Sequence, residues 1–470
     1  MNTTATRSEH DAFGPVAIPA DRLWGAQTQR ALEVFAIGEE RFPACLLHTF
    51  GLQKLAAARA NRRLGALDGA LADAIEAAAE ELRNGQLDAH FPLTIWQTGS
   101  GTQTNMNANE VLANRANQRL GQPPGTRNPV HPNDHVNASQ SSNDSFPTVM
   151  HLATALELQD RLVPALALLQ SRLQQRATAF AGVLKIARTH LIDAVPMALG
   201  QSFDAFARQV GHGIDRVHAT QPRLALLPQG GTAAGTGLNA PEGFDAAFCE
   251  EVSALTGMAF HPNPSKFEGM GAHDALVEVS GALNVVATSL AKIANDIRLL
   301  GSGPRCGLGE LRIPDDGLTS SIMPGKRNPT IAEVVAQAAW QVMGNHTTIT
   351  LAGASGHFEL NVAKPVLIYN LLQSIRVLAD SARVFAERLV QGLEADTERL
   401  AANVDNALLL ATALNPVLGY DRVARITREA MERGTTPKAA AVALGFLTAE
   451  EYDRRVNPRA MAGLHPAESA

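Results

Sequence analysis

The chain has 470 residues, of which 45% are hydrophobic and 5% aromatic, with a formal net charge of -6 and a pI near 6.2. The negative charge argues against a nucleic-acid or membrane partner, so an anionic ligand would need local cations and oriented N–H groups. Few aromatic residues and much alanine and leucine favour packed helices over a β-sandwich. The three cysteines form no CxxC pair and the N-terminus lacks a secretory apolar core, which together predict a cytoplasmic protein.

Helical periodicity dominates the chain after a possible strand around residues 13–18. The clearest pattern is a heptad seam that predicts the central rod of a helical bundle. Its members are Leu276, Val279, Leu283, Val286, Leu290, Ile293, Ile297 and Leu300. Further long helices are expected over 146–178, 332–349, 365–391 and 405–433. The predicted fold is therefore mainly α.

Three contiguous regions are expected along the chain. Residues 1–140 form a mostly helical N-terminal domain, 141–397 a central bundle of long helices, and 398–470 a small helical C-terminal domain. Polar loops with glycine or proline separate the helices. They span 98–107, 121–143, 187–193, 228–240, 261–274 and 301–329.

Two of these loops have side chains suited to an anion. Ser100, Gly101 and Thr102 lie in a glycine-rich stretch that leads into a helix, where backbone N–H groups favour negative charge. A simple helix cap with turn glycines explains the same residues. Further on, Ser141, Ser142 and Asn143 are neutral donors for carboxylate oxygens, unless they belong to an exposed polar loop.

The segment 131–135 allows two interpretations. His131 and Asp134, with Pro132 and Asn133 between them, could form a second anion-binding patch. His131 and His135 have the spacing of a metal-binding pair on a helix, but Pro132 argues against a helix and no cysteine is near. No metal site is therefore predicted.

Three further loops complete the candidate set. Thr189 and His190 lie in an expected break between helices, where a histidine can exchange protons near neutral pH. The segment 320–328 could hold a carboxylate with Lys326 and Asn328 while Ser320 faces an acidic C–H bond. The glycine-rich loop 229–239 is no dinucleotide fingerprint, so it predicts close backbone packing and no cofactor.

Taken together, these motifs resemble those of class II fumarases in the fumarase/aspartase superfamily. The similarity runs from residues 20–28 to 438–446. Within that superfamily, the Gln-Ser-Ser-Asn-Asp motif at 140–144 and Pro-Gly-Lys at 324–326 resemble fumarases more than aspartases. The resemblance implies a three-domain fumarase/aspartase-like fold, a homotetramer with a twenty-helix core, and active sites shared between three subunits.

The resemblance also implies a role for each motif residue in the reversible hydration of fumarate to L-malate without a cofactor. Ser320 would be the base, His190 the group that handles the water, and Glu333 its acidic partner. A secondary anion site would comprise His131, Pro132, Asn133 and Asp134. The dicarboxylate would be bound by Ser100, Gly101, Thr102, Ser141, Ser142, Asn143, Thr189, Ser321, Lys326, Arg327 and Asn328.

Two positions depart from the family pattern, which usually has glycine at Thr319 and valine at Arg327. Lys-Arg-Asn-Pro occurs in relatives that cleave succinyl-bearing substrates. A related fumarate-releasing lyase, acting on aspartate or on a succinyl-amine, is therefore an alternative. A catalytically silent structural relative is a second alternative, disfavoured by the presence of Ser320, His190, Lys326 and Asn328 together.

Overall fold

The computed structural model describes residues 5–318 and 320–464, and its secondary structure is mainly helical, as predicted. Its α-helices are α1 (Ala26–Val34), α2 (Ala44–Arg63), α3 (Gly69–Arg83), α4 (Thr102–Arg119), α5 (Ser142–Glu157), α6 (Val163–Ala179), α7 (Leu199–Leu224), α8 (Phe244–Thr256), α9 (Lys266–Gly271), α10 (Asp274–Leu300), α11 (Thr330–Gly353), α12 (Lys364–Val384), α13 (Thr397–Asp405), α14 (Asn415–Leu418), α15 (Tyr420–Arg433), α16 (Pro437–Ala443), α17 (Ala449–Arg455) and α18 (Pro458–Met461). Short π-helical turns occupy Pro132–Val136, Leu158–Leu162 and Phe385–Leu389. Single 3-10 segments span Asp88–His90, Val390–Gly392 and Leu408–Leu414.

The strands are short and occur in pairs. They are β1 (Thr6–Asp11), β2 (Gly14–Pro19), β3 (Leu184–Thr189), β4 (Ile192–Ala198), β5 (Leu226–Leu227), β6 (His261–Pro262), β7 (Leu311–Arg312) and β8 (Glu394–Ala395). β5 and β6 pair in parallel, whereas the other three pairs are antiparallel. The β1–β2 hairpin confirms the strand expected around 13–18.

The predicted long helices are largely confirmed. Region 146–178 is α5, a π-helical turn and α6 in succession, while α11 and α12 cover most of 332–349 and 365–391. In α10 the seam residues from Leu276 to Ile297 are at most 2% exposed, and Leu300 at the helix end is half-buried. A 3.5-residue apolar repeat buries one continuous stripe, which explains why this prediction succeeded.

Other predictions were wrong. Region 405–433 is not one helix: α13 ends at Asp405, and Pro416 and Gly419 interrupt the chain before α15. Helix α4 already begins at Thr102, inside the predicted loop 98–107. Residues 187–193 connect two strands instead of two helices, and Pro132–Val136 forms a helical turn despite its proline.

The described chain divides into two compact units. The first comprises residues 5–164, 215–287 and 340–379, and the second comprises 165–214, 288–318, 320–339 and 380–464. In the first unit, α2 packs against α3, α5 and α8. The three-domain division stays a prediction.

The second unit has its own apolar core near the C-terminus. Ile186 of β3 is buried there among side chains from helical segments between Val404 and Val456. The base of the β3–β4 hairpin is therefore fixed by hydrophobic burial.

Within the described residues, α10 is the one helix long and apolar enough to cross a membrane. That criterion uses length and composition alone, and half of the most apolar 18-residue window is buried inside the protein. Buried core helices meet the same criterion.

Candidate functional site

In the first unit, the N-termini of α4 and α5 meet through their hydroxyl side chains. Thr102 is the first residue of α4 and Ser142 the first of α5, and their oxygens are 2.8 Å apart. Ser100 extends the chain, with its Oγ 2.7 Å from the Thr102 hydroxyl. The positive ends of two helix dipoles and three hydroxyls therefore converge, as a bound anion requires.

Two glycines allow this convergence. Gly101 caps α4 with a left-handed φ of 77°, and a Cβ there would lie 2.2 Å from the Phe146 ring. A Cβ on Gly99 would lie 1.3 Å from the carbonyl oxygen of Val362. Both positions are closed to larger side chains, which fixes the backbone around Ser100.

Ser141 and Asp144 form a capping box at the start of α5. The Ser141 hydroxyl accepts the backbone N–H of Asn143, and the Asp144 carboxylate accepts that of Ser141 at 2.9 Å. The Asn143 side chain donates to the carbonyl of Ala233 at 2.8 Å. Capping thus orients Ser142 and Asn143 at the helix entrance.

The buried Asp144 also binds the glycine-rich loop. Its second oxygen accepts the N–H groups of Gly230 and Thr232 at 3.0 and 2.9 Å. Burial raises the pKa of Asp144 to about 6, although its backbone donors act in the opposite direction. The loop that the sequence suggested for close backbone packing thus supports the 141–144 segment.

A buried lysine that the sequence analysis missed lies beneath this segment. Lys54 of α2 is 1% exposed, and its ammonium donates to Gln140 at 2.9 Å and Asn137 at 3.2 Å. Burial lowers its pKa from 10.5 to about 7. Gln53 donates to both Gln140 and Gln229 at 2.9 Å, so both side chains support the loop before Ser141.

The sequence pattern around Lys54 could have identified it as a buried residue. Leu47, Phe50, Lys54, Ala58 and Asn61 follow at helical spacings of three and four, so lysine falls on the buried face of α2. A lysine on an apolar helical face needs a buried polar partner.

His131 lies at the entrance to the Pro132–Val136 turn. Its Nδ1 accepts the N–H groups of Asn133 and Asp134 at 3.3 and 3.2 Å. Partial burial lowers the pKa of the ring, which favours a neutral imidazole whose proton is on Nε2. Asp134 itself is exposed, and Pro132 is buried at the first position of the turn.

The second unit presents Thr189 and His190 at the tip of a β-hairpin. Thr189 pairs with Ile192, which leaves His190 and Leu191 as a two-residue turn. Both turn residues have positive φ, 57° and 63°, as in a type I′ turn. Neither is glycine or asparagine, so the backbone carries strain at an exposed histidine, a feature associated with functional sites.

The loop from Ser320 to Asn328 lies in the same unit and is mostly exposed. A turn at Pro324 and Gly325 is closed by the Lys326 N–H, which donates to the carbonyl of Met323 at 3.2 Å. The Ser320 hydroxyl accepts the N–H of Met323 at 3.3 Å. Ser321 and Lys326 face solvent, Asn328 is half-buried, and Thr319 lies outside the described residues.

Arg327 is engaged within its own unit. Its guanidinium is 3.1 Å from the Asp315 carboxylate, and both side chains are largely exposed. Glu333 lies in the first turn of α11. Among the residues described in this unit, no hydrogen bond or ion pair joins Glu333 to His190.

The structure thus connects Ser100, Thr102 and Ser142 in one unit and presents His190 and Ser320 on separate segments of the other. Across residues 5–318 and 320–464, no group of three or more His, Cys, Asp or Glu side chains could hold a metal ion.

Comparison with known proteins identifies the family. A model described as "Lyase" matches residues 14–344, and one described as "Fumarase C C-terminus" matches 410–463. The chain belongs to the class II fumarase family. It is 55% identical to a mitochondrial fumarate hydratase of Schizosaccharomyces pombe, covering 97% of this chain and 88% of that protein. It is 54% identical to a class II fumarate hydratase of Bradyrhizobium diazoefficiens over 97% of each.

Solved structures agree with this assignment. A class II fumarase from Schistosoma mansoni superposes with a TM-score of 0.95 at 40% identity, covering 98% of this chain and all of that one. A fumarate lyase:delta crystallin from Brucella melitensis gives 0.94 at 41% identity, covering 97% of this chain and all of that one. The predicted fumarase/aspartase-like fold is confirmed.

The predicted cytoplasmic location is contradicted by the same comparisons. The relatives from Schizosaccharomyces pombe, Rhizopus oryzae and Arabidopsis thaliana are all named mitochondrial fumarate hydratases. The cysteine pattern and N-terminal composition on which the prediction rested do not distinguish these compartments.

The depressed pKa of Lys54 predicts a pH-dependent stability. Between about pH 7 and 10 the unfolded chain binds the Lys54 proton and the folded chain does not, so the free energy of unfolding rises with pH. Lys54→Met should remove this contribution, at most about 1.4 kcal/mol per pH unit. Denaturant unfolding at pH 7, 8 and 9, at one protein concentration, measures it.

Gln53→Met is the matched control, because Gln53 is equally buried and does not titrate. The decrease in the free energy of unfolding caused by Gln53→Met should be the same at pH 7, 8 and 9. If Lys54→Met keeps the parent's pH slope, the buried ammonium does not have the depressed pKa described.

Proposed function

We propose that this protein catalyses the reversible hydration of fumarate to L-malate. The observation that carries the proposal is the meeting of the α4 and α5 N-termini at Thr102 and Ser142, in a chain that is 52–55% identical to fumarate hydratases over nearly its whole length. Two dipole ends and neutral hydroxyls suit a small dicarboxylate that must bind and then leave.

The dicarboxylate is held by the motif residues, which more than one subunit contributes. One carboxylate takes the donors of Ser100, Gly101, Thr102, Ser141, Ser142 and Asn143. Lys326 and Asn328 bind the carboxylate next to the reacting carbon, with Thr189, Ser321 and Arg327 as further contacts. Donors that are oriented before reaction stabilise developing charge without reorganisation.

In the dehydration direction, Ser320 removes a proton from the carbon next to a carboxylate. The electron pair of the C–H bond passes into that carboxylate and gives an aci-carboxylate dianion. The pair then forms the double bond as hydroxide leaves the neighbouring carbon on the opposite face. His190, with Glu333 as its acidic partner, supplies the proton that turns hydroxide into water, and hydration reverses these steps.

A serine alkoxide needs stabilisation, because an ordinary hydroxyl is too weak an acid to ionise near neutral pH. The Met323 N–H that donates to the Ser320 oxygen is one such donor. Lys326, six residues further along the loop, supplies positive charge. The loop thus contains the groups that this role requires.

A secondary anion site is proposed at residues 131–134. Since the His131 Nδ1 already accepts two backbone N–H groups, the Nε2 proton is the group that can donate to a carboxylate. Asn133 and Asp134 shape the same turn, with Pro132 at its start.

We further propose a homotetramer with a twenty-helix core and active sites shared between three subunits. In support, the long helices α10 and α11 expose large apolar side chains, among them Val285, Leu299, Val334, Trp340 and Leu351. Such surface is typical of an interface. His190 and Lys326 are also solvent-exposed within the single chain, as expected of groups that face a neighbouring subunit.

The reaction is tested by ultraviolet absorbance of the conjugated diacid. L-malate should give rising absorbance and fumarate falling absorbance, whereas aspartate and a succinyl-amine should give no change. Release of fumarate from aspartate or a succinyl-amine, without reaction of malate, would show that the alternative lyase function is correct.

Two substitutions test the assigned chemistry. Ser320→Ala should lower kcat at least about a hundredfold while substrate still binds, because only the base is lost. His190→Asn should lower kcat in both directions, since the same group protonates the leaving hydroxide in dehydration and deprotonates the attacking water in hydration. Steady-state kinetics and binding of malate measure these effects, and a parent-like rate in either variant removes that residue from the mechanism.

Mixing the two variants tests the sharing of sites. If Ser320 and His190 of one site come from different subunits, hybrid tetramers formed by co-refolding regain activity at about a quarter of their sites, by random assortment. Each variant refolded alone is the control. No regain in verified hybrids would place both residues in one subunit's site.

A further inference from the structure

Behind the His190 hairpin lies a buried ion cluster that the proposed chemistry does not use. Glu310 is fully buried, and its Oε1 accepts from Arg188 Nη2 at 2.7 Å and from Asn403 at 3.2 Å. Its Oε2 lies 3.7 Å from the Lys185 ammonium. A buried carboxylate with two cations is costly to desolvate, so its presence calls for a role beyond packing.

The backbone of Glu310 is held at both sides. Its N–H donates to the carbonyl of Leu300 at the end of α10, and its carbonyl accepts from Asp396 before α13, at 2.9 and 3.0 Å. The carboxylate is therefore a fixed point within the second unit. Helix α13 also packs against β3.

The two cations belong to the strand that leads to the hairpin tip. Lys185 and Arg188 are both on β3, and Arg188 is two residues before His190. A register shift between Ile186 and Arg188 interrupts regular pairing. Pairing resumes at Arg188–Asp193 and Thr189–Ile192, so the irregularity separates the tip from the base of the hairpin. The Arg188–Glu310 contact holds the chain on the tip side of it.

We propose that Glu310 is a positioning residue for His190, acting through the guanidinium of Arg188. The inference rests on the proposed function only in assigning His190 to the handling of water. Fixing Arg188 fixes the strand end, and the strained turn then has one orientation in which to present the imidazole. Displacing a reacting group by about 1 Å can cost a hundredfold in rate.

The test uses Glu310→Gln, which keeps an acceptor for Arg188 but removes the charge. Arg188→Lys tests the contact from its other side, since it removes the guanidinium fork and keeps the charge. Either variant should lower kcat by about tenfold to a hundredfold, with KM for fumarate changed less than about threefold. Arg312→Gln is the control. Arg312 lies two residues after Glu310 in the sequence, and its substitution breaks a more exposed ion pair, the one between Arg312 and Asp396.

A double-mutant cycle separates positioning from a general loss of folded enzyme. If Glu310 acts through His190, adding Glu310→Gln or Arg188→Lys to His190→Asn changes kcat less than about twofold. If the effects multiply, Glu310 acts on the whole fold and the inference is wrong.

Hydrogen exchange gives a readout that does not depend on activity. Glu310→Gln should speed exchange in peptides from 184–198 and leave those from α2 unchanged. Unchanged exchange in 184–198 overturns the inference. Should the parent protein fail to hydrate fumarate, the proposed function falls, whereas the exchange comparison still decides whether Glu310 holds the hairpin.

Discussion

A single buried carboxylate, that of Asp144, holds together the first half of the candidate site. It accepts the N–H groups of Ser141, Gly230 and Thr232, so it joins the start of α5 to the glycine-rich loop. Ser142 and Asn143 lie between Ser141 and Asp144, so the contacts of Asp144 determine their positions. The hydroxyl contact between α4 and α5 depends in turn on the position of Ser142. Because the three donors are backbone groups, these contacts need no side-chain donor from the loop.

The fold was predictable where apolar spacing is regular. The seam of α10 identified the central helix because its 3.5-residue period has no other explanation. Helix α7 was not among the predicted long helices, although Leu199, Phe203, Phe206 and Val210 follow at spacings of four, three and four. Region 405–433 was misassigned because its apolar residues continue across Pro416 and Gly419. Side-chain periodicity does not record such backbone breaks, whereas proline and glycine do.

The candidate site was predictable in its residues more than in its geometry. Ser100, Thr102 and Ser142 were found as polar clusters, but their contact joins segments 40 residues apart along the chain. The sequence analysis did not identify Lys54 and Glu310. Each is a single charged residue within an apolar or glycine-rich stretch, and its partners are remote in sequence. No role was predicted for Arg188, which directly precedes Thr189 and His190 in the sequence. The buried residues that support a site contact partners that are remote in sequence, and a local sequence motif does not show those contacts.

The two-residue turn at His190 has a consequence for how this segment can vary. Strand side chains alternate between faces, so one inserted or deleted residue at the tip would reverse the side on which the following residues of β4 point. Most surface loops tolerate changes of length. We expect this one to tolerate them poorly, because Ile186 and Arg188 anchor one strand and β4 pairs with it in a defined register. Natural variation here should therefore consist of replacements at constant length.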